Sequence, residues 1–263
     1  MAFGIADLSI VPMRKEQSER SEMVSQVLFG ELYEVLEETE KWVYVKLFHD
    51  GYEGWIDKRM HVGVSEEYAG KYGMESPVLT TEVFNIVTKK GDYGHKLLVA
   101  GSVLPFFQAE NREMRIGEDE YTLVTRTKDV GIESLRELII TYALMYYNTP
   151  YLWGGRSPYG IDCSGLTQMV YRLAGIGIPR DAALQVNCGQ NFSFIEEALP
   201  GDLAFFGDEA GAITHVGVLW EKNRIIHASG KVRVDKIDHQ GIFNEELKRY
   251  THTLKVIKRM ISD

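Results

Sequence analysis

Short runs of β-branched and aromatic residues, alternating with polar ones, dominate the first 128 residues of the chain. A repeat of two is typical of strands with one buried face. In residues 1–64 the pattern predicts strands at 31–36, 42–47 and 54–56, and Asp50-Gly51 predicts a turn between the last two. We therefore expect residues 1–64 to form a small all-β barrel.

The same texture returns in residues 77–128, where strands are predicted at 83–87, 96–100 and 121–124. These strands predict a second small barrel. The intervening residues 65–76 are polar and contain glycine, so we interpret them as a connector.

The pattern changes in residues 129–263. Two stretches there have apolar residues at helical spacing, which predicts two helices: Leu135, Leu138, Ile139, Tyr142 and Tyr146 mark the first, and Leu166, Met169, Val170 and Leu173 mark the second. Strands are predicted afterwards at 203–206, 213–220 and 224–229. Helices followed by strands are typical of an α+β domain.

Composition excludes several classes of protein. With 44% hydrophobic and 25% charged residues, the 263-residue chain has the composition of a folded protein. Its net charge of −9 and its lack of a dense Lys/Arg block argue against a nucleic-acid partner. The two cysteines, Cys163 and Cys188, are too few for a disulfide framework and lack the paired spacing of metal ligands. We expect no metal and no other cofactor, and we interpret Cys188 as a bystander.

No stretch of the sequence is apolar over enough residues to span a membrane, and residues 1–7 lack the basic and apolar regions of an export signal. The expectation is a cytoplasmic protein, or a periplasmic or extracellular one if a leader has been removed. The sequence leaves the oligomeric state open.

Cys163 follows a glycine-rich run, residues 150–162, and precedes the second predicted helix. Asp162 is a good N-cap for that helix, whose N-terminus would supply partial positive charge and N–H groups that favour a thiolate over a thiol. A lone cysteine more often packs in a core. The polar and glycine neighbours of Cys163 favour an exposed helix start instead, and make it the candidate nucleophile.

Two histidines, His215 and His227, lie in neighbouring predicted strands. A three-residue loop between the strands, with Asn223 in a left-handed conformation, would place Gly217 opposite His227. Both histidines then lie on one face, roughly 7–8 Å apart at Cα, whereas a two-residue loop would put them on opposite faces. Either histidine alone is as often structural, but the pair together with Cys163 indicates a nucleophilic cysteine hydrolase.

In such a hydrolase His215 accepts the proton of Cys163, the thiolate attacks an amide carbonyl, and water then hydrolyses the acyl-enzyme. His227 orients the His215 ring. The backbone N–H of Cys163 and the hydroxyl of Tyr151 are the candidate oxyanion donors. A packed aromatic is an equally good interpretation of Tyr151.

Six motifs resemble the NlpC/P60 family of cell-wall cysteine peptidases in order and spacing: Tyr-Leu-Trp-Gly-Gly at 151–155, Asp-Cys-Ser-Gly at 162–165, Pro-Arg-Asp at 179–181, Pro-Gly-Asp-Leu at 200–203, His-Val-Gly at 215–217 and His-Ala at 227–228. The resemblance covers residues 129–263. It implies a papain-like α+β core with a Cys-His-His relay, matched by Cys163, His215 and His227. It also implies a tyrosine near the nucleophile, which is matched by Tyr151.

The two front modules resemble bacterial SH3-like domains, which implies two SH3-like β-barrels ahead of the papain-like catalytic domain. The full layout is most similar to the dipeptidyl-peptidase VI branch of the family, the γ-D-glutamyl-L-diamino acid endopeptidases. This similarity implies hydrolysis of the bond from γ-D-Glu to meso-diaminopimelate or Lys, in small murein peptides with a free N-terminal L-Ala, during cell-wall peptide recycling. In that branch the first SH3-like domain walls off one side of the cleft, and acidic and tyrosine residues hold the L-Ala ammonium.

The same resemblance suggests residues that bind substrate. Asp162 matches one of the acidic positions, and Ser164 matches a neighbouring hydroxyl. From the first barrel we nominate Glu22 and Tyr52, for which an ordinary surface pair is the alternative. Residues 182–183 are alanines where many relatives carry serine, so a hydroxyl contact to substrate is missing and the finer substrate preference stays open. The sequence also leaves open the choice between diaminopimelate and Lys.

Two arginines, Arg156 and Arg180, are candidates to meet a substrate carboxylate. Pairing with Asp181 or Asp202 is the more ordinary interpretation, because arginine in a folded domain is rarely buried without a partner.

Two other functions remain as alternatives. The first is an exported peptidoglycan hydrolase that acts on intact wall and uses its SH3-like domains as wall-binding modules. The second is an inactive binding protein, which the presence of nucleophile, base and orienting residue disfavours. The acidic charge of the chain favours the recycling enzyme over the wall hydrolase, because wall-tethering modules are often basic.

Overall fold

Two units, Met1–Asp129 and Val130–Asp263, divide the chain in the computed structural model, which describes residues 2–125, 134–192 and 194–261. Residue 129, the predicted start of the third domain, lies outside the described residues. No helix in these described ranges is long and apolar enough to cross a bilayer.

Seven short strands form the first sheet of the first unit: β1 (Ala2–Ile5), β2 (Ile10–Arg14), β3 (Met23–Leu28), β4 (Leu32–Glu38), β5 (Trp42–Leu47), β6 (Glu53–Asp57) and β7 (Val62–Val64). They pair antiparallel in the order β3-β2-β6-β5-β4-β1-β7. Alternate residues such as Val43 and Val45 are fully buried in one core. The three strands predicted in residues 1–64 are confirmed as β4, β5 and β6, and β5 has the predicted bounds.

The predicted connector at 65–76 is wrong, because Glu66–Met74 form a helix, α1. The Ser65 hydroxyl caps it by accepting a hydrogen bond of 3.1 Å from the Tyr68 N–H. Only Tyr68, Ala69 and Tyr72 pack against the core. The other residues of α1 are exposed, and most of them are Glu, Lys or Gly, so its composition is that of a loop.

A second sheet completes the first unit with four strands in the order β10-β11-β8-β9: β8 (Phe84–Lys89), β9 (His95–Val99), β10 (Glu113–Ile116) and β11 (Asp119–Leu123). The strands predicted at 83–87, 96–100 and 121–124 are confirmed as β8, β9 and β11. Both sheets contribute to one core, in which the Phe29 and Tyr121 rings meet edge to face at 5.5 Å. The boundaries 1–64 and 77–128, and an SH3-like form for the second sheet, stay predictions.

The second unit begins with helices and ends with strands, as predicted. Its elements are α2 (Leu135–Met145), β12 (Arg156–Ser157), β13 (Gly160–Ile161), α3 (Cys163–Leu173), α4 (Ala182–Gln185), β14 (Gln190–Phe192), β15 (Leu203–Gly207), β16 (Ile213–Leu219), β17 (Arg224–Ser229), β18 (Lys231–Asp238), β19 (Gly241–Asn244) and β20 (Arg249–Arg259). Short 3₁₀ turns lie at Lys58–Met60 in the first unit and at Ile195–Glu197 in the second.

The large sheet of the second unit has the order β14-β20-β15-β16-β17-β18-β19. The first half of the long β20 pairs with β19 and its second half pairs with β15, so β20 links the two ends of that order. Helix α3 packs against β16 and β17. Its residues from Cys163 to Tyr171 are all buried, because this helix lies in the core rather than on the surface.

The register of the β16–β17 hairpin is the predicted one. Gly217 lies opposite His227, and the Trp220 N–H donates to the Arg224 carbonyl at 3.0 Å. Asn223 has a φ of 62°, the left-handed conformation that the three-residue loop requires. The loop length therefore fixes which face of the sheet carries the two histidines.

Candidate active site

Cys163 is the first residue of α3, and the preceding loop folds back over it. The Asp162 carboxylate caps the helix by accepting from the Gly165 N–H at 2.6 Å and holds the loop by accepting from the Gly154 N–H at 2.8 Å. A Cβ at Gly165 would collide with the Gly155 carbonyl oxygen. Glycine at 165 thus allows the loop backbone to rest directly on the first turn of the helix.

The Asp162 carboxylate also forms a buried ion pair with Arg180, whose Nη1 and Nη2 donate to it at 3.0 and 2.6 Å. Ser164 joins this network, because its hydroxyl accepts from Arg180 Nη1 at 2.9 Å. The partner Asp162 was not among the acids expected to pair with Arg180, which were Asp181 and Asp202. A substrate ammonium at Asp162 would have to share oxygens that four N–H groups already use, and the substrate-binding roles of Asp162 and Ser164 stay predictions.

The other acidic candidate, Asp202, is fully buried and pairs elsewhere. Arg136 Nη1 donates to its Oδ1 at 3.1 Å, and Arg259 Nη2 donates to its Oδ2 at 2.9 Å. Arg156 is also fully buried, so a substrate carboxylate could reach it only if the loop moved.

The expected thiolate at Cys163 is wrong for the resting protein. Burial and then the neighbouring Asp162 charge raise the pKa of the thiol to about 11, although hydrogen bonds from the backbone N–H groups of Val216 and Ser164 lower it. Cys163 is only 8% exposed. The cost of burying a charge therefore outweighs the field of the helix N-terminus, and the nucleophile rests as a thiol that needs a base.

The predicted base, His215, immediately precedes a residue that hydrogen-bonds to the thiol. The bond from the Val216 N–H brings the Cys163 thiol next to β16 immediately after His215. His215 Nε2 lies 2.9 Å from Nδ1 of His227. The two rings are therefore within reach of each other, as the hairpin register predicts, and Nδ1 of His215 is left as the nitrogen that can take a proton. The catalytic roles of His215 and His227 stay predictions.

Burial favours the neutral form of both imidazoles. Burial first, and then the neighbouring rings of His227 and His252, hold the pKa of His215 well below its usual value. Burial also lowers the pKa of His227, although Asp235 opposes the shift. A neutral His215 can act as a general base, which is the protonation state that a thiol nucleophile requires.

Sequence reasoning missed Asp235, which lies on β18. Its Oδ2 accepts from Nε2 of His227 at 3.0 Å, and Arg233 Nη2 donates to its Oδ1 at 3.0 Å. Arg233 lies directly opposite His227 in the β17–β18 pair. Asp235, two residues further along β18, is therefore the diagonal neighbour of His227 on the same face of the sheet. The sequence does carry a signal for Asp235: it is an acidic residue two positions after Arg233, on the strand that follows the one with His227.

Sequence reasoning also missed His252, on β20. Its ring stacks on that of His215 with centroids 4.2 Å apart and planes 27° apart. Nitrogens of His215, His227 and His252 all lie within 4.8 Å of one another. The in-plane lone pairs of two stacked rings point side by side rather than towards one ion. His215 and His227 also each use one nitrogen to hydrogen-bond to the other. The three histidines therefore do not fit a metal site unless their rings rotate.

Tyr151 is the predicted side-chain donor to the oxyanion. Burial, followed by the negative charges of a Cys163 thiolate and of Asp162, raises the pKa of its hydroxyl to about 12. The tyrosine therefore keeps its proton and can donate it, and it lies close enough to sense charge on the nucleophile. Its role as oxyanion donor stays a prediction.

The two residues nominated from the first barrel lie in the first unit. Glu22 is exposed and pairs with Lys15 at 3.4 Å. The half-buried Tyr52 ring packs against the core of the first sheet, and its backbone N–H donates to Asp50 Oδ1 at 2.9 Å. Substrate binding by Glu22 and Tyr52 stays a prediction.

Comparison with known proteins supports the same interpretation. Residues 148–251 match the NlpC/P60 family, and residues 13–59 match the bacterial dipeptidyl-peptidase SH3 domain. Dipeptidyl-peptidase 6 of Lysinibacillus sphaericus is 29% identical over 84% of this chain and 86% of its own length. Gamma-D-glutamyl-L-lysine dipeptidyl-peptidase of Bacillus subtilis (strain 168) is 29% identical over 78% of this chain and 71% of its own.

A solved structure shares the fold. The crystal structure of an NlpC/P60 family protein from Bacillus cereus ATCC 10987 matches with a TM-score of 0.80 at 20% identity, over 99% of this chain and 100% of that one. Cys163, His215 and His227, the predicted nucleophile and imidazole relay, all lie within the matched residues 148–251. The chain therefore carries a cysteine-peptidase domain of the NlpC/P60 family behind a bacterial dipeptidyl-peptidase SH3 domain.

Proposed function

We propose that this protein hydrolyses the bond between γ-D-Glu and an L-diamino acid, meso-diaminopimelate or Lys, in murein peptides with a free N-terminal L-Ala. The observation that carries the proposal is the neutral, hydrogen-bonded His215–His227 pair beside a buried Cys163 thiol. The relatives named dipeptidyl-peptidase 6 and gamma-D-glutamyl-L-lysine dipeptidyl-peptidase, each matched over most of its length, support the bond that is cut.

The reaction follows from the protonation states. As the Cys163 sulfur attacks the amide carbonyl, its proton passes to Nδ1 of His215, and the C–S bond of the acyl-enzyme forms. The imidazolium then gives that proton to the leaving amine as the C–N bond breaks. A water molecule, deprotonated by the same nitrogen, hydrolyses the thioester and restores the thiol. The Cys163 N–H at the helix start and the Tyr151 hydroxyl would hold the oxyanion.

The substrate class is tested with three matched substrates: L-Ala-γ-D-Glu-meso-diaminopimelate, its N-acetylated form and purified sacculi. We expect cleavage of the free-amine tripeptide, with release of diaminopimelate, and little action on the other two. Equal cleavage of the acetylated peptide would remove the ammonium requirement. Release of peptides from sacculi would favour an exported wall hydrolase instead.

We further propose that the protein works in the cytoplasm on small peptides returned from the wall. The support is the net charge of −9, because modules that tether an enzyme to the wall are often basic. Fractionation of cells, with detection of the native protein, tests this. Recovery from the periplasm or the medium would contradict the proposal.

A further inference from the structure

We propose that Asp235 is a positioning residue that fixes the tautomers of both His227 and His215, so that Nδ1 of His215 is the unprotonated nitrogen facing the nucleophile. The catalytic relay would then have four members rather than three. The part that concerns turnover rests on the proposed peptidase function, whereas the tautomers themselves can be observed without any substrate.

The first step is that Asp235 can only accept hydrogen bonds. Its side chain is buried, and Arg233 contacts both oxygens, with Nη2 3.0 Å from Oδ1 and Nε 2.8 Å from Oδ2. Although burial opposes ionisation, the bonds from His227 and Arg233 hold the pKa of this carboxyl below its usual value. An ionised carboxylate has no proton to donate.

The second step follows through His227. Because Asp235 Oδ2 lies 3.0 Å from Nε2 of His227 and accepts only, that nitrogen must carry the proton. A neutral imidazole has one N–H, so Nδ1 of His227 is bare and accepts. In the other tautomer two lone pairs would face each other in a buried site, which is unfavourable.

The third step transfers the constraint to His215. Nε2 of His215 lies 2.9 Å from the bare Nδ1 of His227 and must therefore donate to it. The one remaining nitrogen of His215 is Nδ1, which is left without a proton. Nδ1 of His215 is the nitrogen that must accept the proton of the Cys163 thiol. The Asp235 carboxylate, acting through two imidazole rings, therefore keeps that nitrogen unprotonated.

Other charged and titratable groups pack against the relay of Cys163, His215, His227 and Asp235. Arg233 is the cation against Asp235, and Glu246 in turn accepts from Arg233 Nη1 at 3.3 Å at the exposed side. His252 stacks on His215 and also meets His227 edge to face, with centroids 5.7 Å apart. His252 Nδ1 bonds to the Thr251 hydroxyl at 2.9 Å, which directs that nitrogen away from the relay.

The direct test is the ring ¹⁵N spectrum of the unmodified full chain, labelled at histidine, near neutral pH. We expect both His215 and His227 as Nε2–H tautomers, assigned by replacing each histidine in turn. A predominant Nδ1–H form of either ring would overturn the proposal. This measurement needs no variant of Asp235 and no substrate.

A second test replaces the carboxylate. In Asp235→Asn an amide NH₂ must face either His227 or Arg233, so the tautomers are no longer fixed. The matched control is Asp238→Asn, which removes the same charge from the same strand but affects a carboxylate that accepts from the Tyr250 hydroxyl. We expect kcat to fall roughly 10- to 100-fold in Asp235→Asn, with KM nearly unchanged. A kcat within twofold of the control would overturn the proposal.

A substrate-free readout separates this proposal from the proposed function. Alkylation of Cys163 by iodoacetamide is followed in a Cys188→Ser background, which removes the other cysteine. We expect slower alkylation at neutral pH in Asp235→Asn than in Asp238→Asn, because the base for the thiol is lost. If this difference appears but no murein peptide is cleaved, the relay stands and the substrate assignment fails. Equal rates in the two variants would contradict the relay.

Discussion

Burial has the largest effect on the pKa of Cys163 and of His215. Cys163 lies at a helix N-terminus, which on its own favours a thiolate, yet its pKa is raised to about 11. The pKa of His215 changes in the opposite direction and lies well below its usual value, because this side chain is also buried away from water. Desolvation disfavours the charged form of each group, so the resting site is a neutral thiol beside a neutral imidazole.

The simplest prediction at this scale concerns the nucleophile. Cys163→Ala should abolish peptide hydrolysis, because no other thiol is placed against His215, while the thermal midpoint stays within a few degrees of the parent. Cys188→Ser is the control and should keep full activity, since Cys188 lies after α4 and its thiol contacts the Leu184 carbonyl rather than a group of the predicted relay. Product formation and thermal unfolding measure the two effects. Turnover that survives in Cys163→Ala would mean that another group attacks.

At the scale of elements, glycines decide how closely the loop over α3 can approach it. Residues 154–162 run back against the first turn of the helix, and Gly165 faces the Gly155 carbonyl oxygen there. A backbone oxygen cannot move aside as the end of a flexible side chain can. The position of Cys163 therefore depends on a residue that takes no part in the chemistry.

Gly165→Ala tests this dependence. Its methyl group must push the loop or the helix away, which we expect to cost about 1–3 kcal/mol of unfolding free energy and most of kcat. Gly177→Ala is the control, since a Cβ at 177 meets nothing within 4 Å. The control should stay within about 0.5 kcal/mol of the parent. Urea unfolding and steady-state kinetics measure both variants, and equal behaviour would contradict the close approach.

At the scale of the whole molecule, the buried histidines tie stability to pH. Burial lowers the pKa of His215, His227 and His252, the last to about 4. Each histidine binds a proton more tightly in the unfolded chain, near its usual value, than in the folded one. The unfolded state therefore takes up more protons as the pH falls below about 6.5, and stability must decrease in that direction.

We therefore expect the thermal midpoint of the second unit to fall steadily from pH 7 towards pH 4. His252→Phe keeps an aromatic ring on His215 but removes one titrating group, so its thermal midpoint should depend less steeply on pH. Differential scanning calorimetry at several pH values measures both. A pH dependence that is the same with and without His252 would contradict its burial as a neutral ring.

Much of the molecule could be predicted because its determinants are local. The alternation in Trp42–Leu47 specifies β5, and the three residues between β16 and β17 fix the register that puts His215 and His227 on one face. The period of a strand is two residues, so loop length alone decides the face. The helix start at Cys163 likewise follows from the Asp162 cap and the apolar spacing behind it.

Tertiary structure alone decided the rest, because those features depend on what packs against each residue. The sequence of α1 is that of a polar connector, and the segment forms a helix because three of its residues pack against a hydrophobic core. Several acidic residues were possible partners for Arg180, and in the folded domain it forms a buried ion pair with Asp162. The protonation state of the Cys163 thiol depends on how completely the fold excludes water from it. The hydrogen-bond partner of His227 depends on which strand lies beside β17. The sequence contains Asp235, but only the assembled sheet brings its carboxylate next to His227.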